Sequence, residues 1–96
     1  MGDPEDRRSR IEAALRERLA AEHVEVIDES RLHAGHEGAK SGGGHFRVTI
    51  VSQRFEGLSR IKAQQLVYGV LADEMRADIH ALSMTTFTPK SWDARP

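Results

Sequence analysis

His45-Phe46-Arg47-Val48-Thr49-Ile50-Val51-Ser52 is the stretch whose reading decides the fold. Phe46, Val48 and Ile50 alternate with Arg47 and Thr49, the two-residue period of a strand with one face in a core and one in water. The neighbouring segments must therefore supply a layer to cover the apolar face. Downstream, Phe55-Glu56-Gly57 reads as a turn, and Ser59 stands where it would cap a helix running to Arg76. Ile61, Ala63, Leu66, Val67, Val70, Leu71 and Met75 recur at a 3.6-residue period, so one side of that helix faces the sheet. Gly69 interrupts it at a cost of ~1 kcal/mol relative to alanine, which predicts a close backbone approach there. Ile79 to Phe87 reads as a third strand, and Thr88-Pro89 opens a short helical turn that folds Trp92 back onto the core.

Upstream of His45 the periodicity disappears. Ser30 to Gly44 holds five glycines together with His33 and His36. Structureless stretches beyond ~12–15 residues in a small domain are functional or disordered, so residues 30–44 are expected to form a mobile, histidine-bearing loop. Before it, Val24 and Val26 alternate with Glu25, making His23 to Glu29 a strand. The chain begins with a helix: Asp3 suits the N-cap, Pro4 the first helical position, and Ile11, Ala14, Leu15 and Leu19 form one apolar stripe. Residues 1–6 are expected to fray. The order is helix–strand–strand–helix–strand–short helix, which predicts one α+β domain over 1–96, a three-stranded sheet with helices on one face.

Composition narrows the chemistry. Ninety-six residues support one modest core. There is no cysteine, hence no disulfide, no thiolate nucleophile and no all-cysteine zinc or iron–sulfur site made by this chain alone. Fourteen basic and fifteen acidic residues give a net charge of −1, far from the basic balance of a dedicated nucleic-acid-binding domain. No apolar run approaches the ~18 residues of a membrane span, and the charged N-terminus lacks the apolar region of a signal peptide. The expectation is a cytoplasmic protein without a membrane partner, or a matrix protein if the source is eukaryotic and the chain processed.

Five histidines stand against the missing cysteines. His33-x-x-His36 places two imidazoles in the loop, His45 opens the second strand, and His80 opens the third, whose end a mixed sheet would bring beside the loop. Such a set, with Glu37 adding an oxygen, suits zinc, copper or non-haem iron; solvated loop histidines show the same loose spacing. Asp28, Glu29, Ser30 and His33 contain the letters of a triad, but at a strand end without a nucleophile elbow, so no enzyme is expected. Gly35-His36-Glu37-Gly38 matches the G-x-x-G that clamps nucleic-acid backbone, yet it lies between strands and carries an acid that repels phosphate.

Several segments together resemble the BolA family. They are Asp28-Glu29-Ser30 with His33; His45-Phe46-Arg47-Val48; Val51-Ser52 with Arg54-Phe55-Glu56-Gly57-Leu58-Ser59; Leu66-Val67-Tyr68; Leu71-Ala72-Asp73-Glu74; Ile79-His80-Ala81-Leu82-Ser83; and Thr88-Pro89 with Trp92. They run in the family's order from Val24 to Trp92.

The resemblance implies a KH-like α+β fold and a non-enzymatic partner of monothiol (Cys-Gly-Phe-Ser) glutaredoxins. In that pairing a [2Fe–2S] cluster bridges the two proteins. The glutaredoxin and glutathione supply thiolates; the BolA-like chain supplies a histidine from the first strand–strand loop and the histidine opening the last strand. Carried over, His80 is the firmest ligand and His33 the favoured loop ligand, with His36 the alternative, because the loop is longer here. No cofactor is expected in the isolated chain. The resemblance also implies a second reading, a DNA-binding transcriptional regulator, with Arg54, Arg60 and Lys62 as the partner or nucleic-acid surface. Two departures bear on this. Gly43 and Gly44 replace the family's acid and hydroxyl residue before His-Phe, and Ala63-Gln64-Gln65 replaces its Arg-His-Arg, removing charge that phosphate contacts would need.

Overall fold

The computed structural model describes residues 4–30, 44–77 and 79–96. Its elements are α1 (Pro4–Arg18), β1 (His23–Asp28), β2 (Gly44–Val51), a 3-10 turn (Gln53–Phe55), α2 (Arg60–Val70), α3 (Ala72–Ala77), β3 (Ile79–Phe87) and α4 (Pro89–Asp93). The strands form one sheet in the order β1-β2-β3, antiparallel between β1 and β2 and parallel between β2 and β3. A parallel pair needs a crossover, and α2 with α3 provides it. This is the expected α+β architecture with a mixed three-stranded sheet.

Alternation selects the inner face. Val24 and Val26 of β1, Phe46, Val48 and Ile50 of β2, and Ile79 of β3 are buried under Ile11, Ala14, Leu15 and Leu19 of the α1 stripe and Ala63, Val67 and Leu71 of the crossover. Each buried side chain of this size is worth ~1.5–3 kcal/mol, so tertiary packing rather than intrinsic propensity holds the strongly charged α1 in place. Pro4 does begin the helix; Asp3 lies outside the described residues.

Polar contacts join the layers. Ser52 is fully buried; its hydroxyl donates to the Leu19 carbonyl at 2.6 Å and accepts from the Arg54 N–H at 3.0 Å. The Ser52 N–H donates to the Phe87 carbonyl at 3.0 Å. One residue thus ties the end of α1, the turn after β2 and the end of β3. Arg18 donates to the Val70 carbonyl at 2.8 Å, capping α2 from α1. Ser59 and Thr88 cap α2 and α4 as the sequence predicts, Thr88 through a capping box with Ser91.

Three expectations need correction. The single helix to Arg76 divides at Leu71, whose φ of −99° and ψ of 20° leave the helical region. Leu71 is fully buried, so the bend sits where the crossover drives a side chain into the core. Gly69 is exposed, and a Cβ there would meet nothing within 4 Å, so no close approach requires the glycine. Trp92 stays outside the main core. It stacks on His23 at 4.8 Å, meets Phe87 edge-on at 5.1 Å, and carries the Arg95 guanidinium 3.3 Å from its ring centre. His23 precedes inward-facing Val24, so alternation points it away from the helix-covered face, and the Trp92 ring of α4 reaches it there. Among the described residues, no helix is long and apolar enough to cross a membrane.

Candidate functional site

The parallel pairing of β2 and β3 contains one irregularity, at the end where the strands begin. Gly44 pairs with Ile79 and His45 with Ala81, which leaves His80 as an extra residue between two paired positions. The core records the same bulge: Ile79 and Leu82 both pack inward at a spacing of three, whereas Leu82 and Met84 keep the regular spacing of two. A bulge of this kind puts two consecutive side chains on one face opposite a single residue of the neighbouring strand. Here His80 and Ala81 turn to the face away from the helices, opposite His45. The His80 side chain is exposed, and its ring lies 5.1 Å from that of His45, with the planes tilted by 45°.

The backbone of His45 is held on both sides by the end of β1. Its N–H donates to the Ser30 hydroxyl at 3.1 Å, and its carbonyl accepts from the Glu29 N–H at 2.7 Å. Ser30 is itself set by its N–H donating to Asp28 Oδ1 at 2.9 Å, an Asx turn. Glu29 pairs with Arg47 across the strands at 3.0 Å. The Asp28-Glu29-Ser30 letters, weighed above as part of a triad, thus form a clamp on the head of β2. Gly44 belongs to the same construction. A Cβ there would fall 2.5 Å from Phe46 Cε2 and 3.1 Å from Ser30 Oγ, so the Phe46 ring occupies space that a side chain at 44 would need. That is the physical side of one departure from the family pattern.

The structure therefore brings His80 and His45 together at the stem of the 31–43 segment. His33, His36 and Glu37 lie outside the described residues. Arg54, Arg60 and Lys62 are all exposed. Arg54 lines a hollow with Leu19, Glu22 and Gln53, whereas Arg60 lines a groove of about 410 Å³ between the start of α2 and the end of β3. Of the replaced triplet, Ala63 is buried and only Gln64 and Gln65 reach the surface of α2.

These groups define what the site can do. Neutral imidazole is a nitrogen donor suited to zinc, copper and iron. Among the described residues, no three His, Cys, Asp or Glu side chains gather closely enough to hold a metal ion. A two-iron cluster takes four ligands, more than His80 and His45 could supply among the described residues. His80 lies near the start of the third strand, as the sequence predicts, but its ring contact with His45 was not foreseen. The signal was present in Ile79-His80-Ala81-Leu82, where two apolar core positions stand three residues apart instead of two.

The family model described as BolA-like protein matches residues 15–91. The chain is 38% identical over 86 residues to the DNA-binding transcriptional regulator BolA of Escherichia coli, covering 90% of this chain and 79% of that protein. It is 42% identical over 86 residues to human BolA-like protein 1, covering 85% of this chain and 61% of that longer protein. Among solved structures, the BolA domain of SufE1 from Arabidopsis thaliana superposes with a TM-score of 0.79 at 38% identity, over 95% of this chain and 98% of that one. The chain belongs to the BolA-like protein family.

Proposed function

We propose that this protein is a non-enzymatic adaptor that pairs with a monothiol glutaredoxin and lends histidine to a [2Fe–2S] cluster shared with the partner's cysteine and with glutathione, in iron–sulfur trafficking or iron sensing. The observation that carries the reading is the exposure of His80 on a bulge at the stem of the His33/His36 segment. When bound, the cluster would offer one iron to imidazole and the other to thiolate, a mixed ligand set known in iron–sulfur proteins. The chain's own part is presentation. His80 is exposed at the head of β3, and Ser30 and Gly44, which flank the segment bearing His33 and its alternative His36, close on the head of β2 beside it. The occurrence of the same domain within a SufE-like protein supports a role alongside other proteins, and its relatives bear the names of regulators or BolA-like proteins rather than of enzymes.

The test is to mix the protein with a Cys-Gly-Phe-Ser glutaredoxin, iron, sulfide and glutathione, and to compare wild type with His80→Ala. The reading expects the variant to lose the visible spectrum of the mixed-ligand complex and to release the cluster sooner. An unchanged spectrum and lifetime would remove His80 from the ligand set.

The name of the E. coli relative favours a second reading, DNA binding. Arg54 and Arg60 on separate hollows and the two glutamines on α2 leave no continuous basic stripe on these elements. DNA binding would fall steeply with salt, and its absence at ~50 mM salt would end that reading.

A further inference from the structure

We infer that His45 is a positioning residue for His80: its ring, fixed to the head of β2, restricts the directions in which the exposed His80 imidazole is presented. The inference deepens the proposed function, and its cluster arm rests on that reading; its rotamer arm does not.

An exposed histidine on a strand ordinarily samples several staggered χ1 wells, and its flat terminal torsion is broad. A ligand must nevertheless be held within about 0.5 Å and 10–20° of its productive geometry. His80 gains no such support from the core, because the bulge turns it away from Ile79 and Leu82. Its next neighbour on the same face is Ala81, too small to form a wall. What stands beside it is the His45 ring, 5.1 Å away between centroids.

That ring is a suitable wall because its backbone cannot drift. The His45 N–H is held by Ser30 Oγ and its carbonyl by the Glu29 N–H, and Ser30 is set by Asp28. Gly44 lets the strand come close enough for this clamp, since any side chain there would press on Ser30 Oγ and the Phe46 ring. Four consecutive features thus converge on one imidazole: Asx turn, hydroxyl clamp, bulge and ring contact. Without the bulge, His80 would occupy a regular register position. With it, His80 and Ala81 share the span opposite His45.

The role is one of contact and direction, so a flat ring without nitrogen should serve. The experiment compares wild type, His45→Phe and His45→Ala on two readouts. The first uses the isolated chain: three-bond couplings and side-chain relaxation of labelled His80 report its χ1 populations. Wild type and His45→Phe are expected to hold one dominant rotamer, and His45→Ala to average over several. The second uses the cluster-bridged complex. His45→Phe should keep the wild-type circular dichroism spectrum, while His45→Ala alters it and shortens the cluster lifetime by ~10-fold, the lower end of what losing an outer partner of a metal ligand costs. A single His80 rotamer in His45→Ala overturns the inference, as does a phenylalanine variant that behaves like alanine. An unchanged spectrum and lifetime in His45→Ala also overturn it. Should His45→Ala fail to fold, His45→Ser takes its place with the same required outcomes. If wild type itself forms no bridged complex, the proposed function falls, and the rotamer comparison alone decides the positioning role.

Discussion

Ser30→Ala separates the clamp on β2 from every other feature of the site. The Ser30 hydroxyl accepts the His45 N–H at 3.1 Å in a half-buried setting, and the substitution removes that acceptor while leaving the Asp28–Ser30 N–H bond in place. A typical hydrogen bond contributes ~0.5–1.5 kcal/mol net, and stranding a buried partner costs ~1–3 kcal/mol. Partial burial gives water some access to the freed N–H, which sets the expected loss at ~1–1.5 kcal/mol, the low end of that cost. For a domain of 60–100 residues each kcal/mol moves Tm by ~4–8 °C, so a fall of about 4–12 °C is expected in thermal unfolding followed by circular dichroism. The loss should also be local. Amide exchange at His45 should accelerate by about tenfold, the equivalent of ~1.4 kcal/mol, while amides of α1 fall only with global stability. Ser30→Thr keeps the hydroxyl and should stay near wild type. A Ser30→Ala protein with unchanged Tm and unchanged exchange at His45 would refute the clamp and weaken the argument that His80 is presented by a fixed neighbour.

Ser52→Ala should destabilise by ~1–3 kcal/mol in urea unfolding, because the Leu19 carbonyl and the Arg54 N–H both lose a fully buried partner. Gly44→Ala should cost ~1–3 kcal/mol by overpacking against Phe46 and Ser30, read as a lower Tm with the sheet otherwise intact. Gly69→Ala should do the opposite, because the position is open and helical; a gain of ~0.5–1 kcal/mol in unfolding free energy is expected, read as a higher midpoint of chemical unfolding. The bridged complex should lose its cluster on acidification, since protons compete with iron for imidazole; a lifetime independent of pH between neutral and mildly acid conditions would argue against histidine ligation.

The pattern of legibility follows from which forces act locally. Phe46-Arg47-Val48-Thr49-Ile50 announces its strand because a half-buried surface imposes a two-residue period on the chain itself. β3 matched the expected Ile79–Phe87 for the same reason. The break at Leu71 was not legible, because Leu71 still donates to the Val67 carbonyl at 3.0 Å and Met75 to that of Leu71 at 2.8 Å. The apolar pattern of α2 thus runs through the bend undisturbed. Gly69 was misread because a glycine beside an apolar stripe does not say whether another backbone comes close to it; here nothing does. The position of His80 at the head of a strand was readable, and the parallel topology then set that strand beside the loop stem. Its contact with His45 depends on the register between strands far apart in sequence, and only the three-residue gap between Ile79 and Leu82 hinted at the slip. His33 and His36 lie outside the described residues.

The most direct measurement of the central claim is an NMR titration of histidine-labelled protein with cluster-loaded glutaredoxin. The His80 imidazole resonances are expected to broaden and shift first through proximity to iron, accompanied by one of His33 or His36, while His23 beside Trp92 stays unchanged. Cluster-loaded partner that binds while leaving the His80 resonances untouched would contradict that claim.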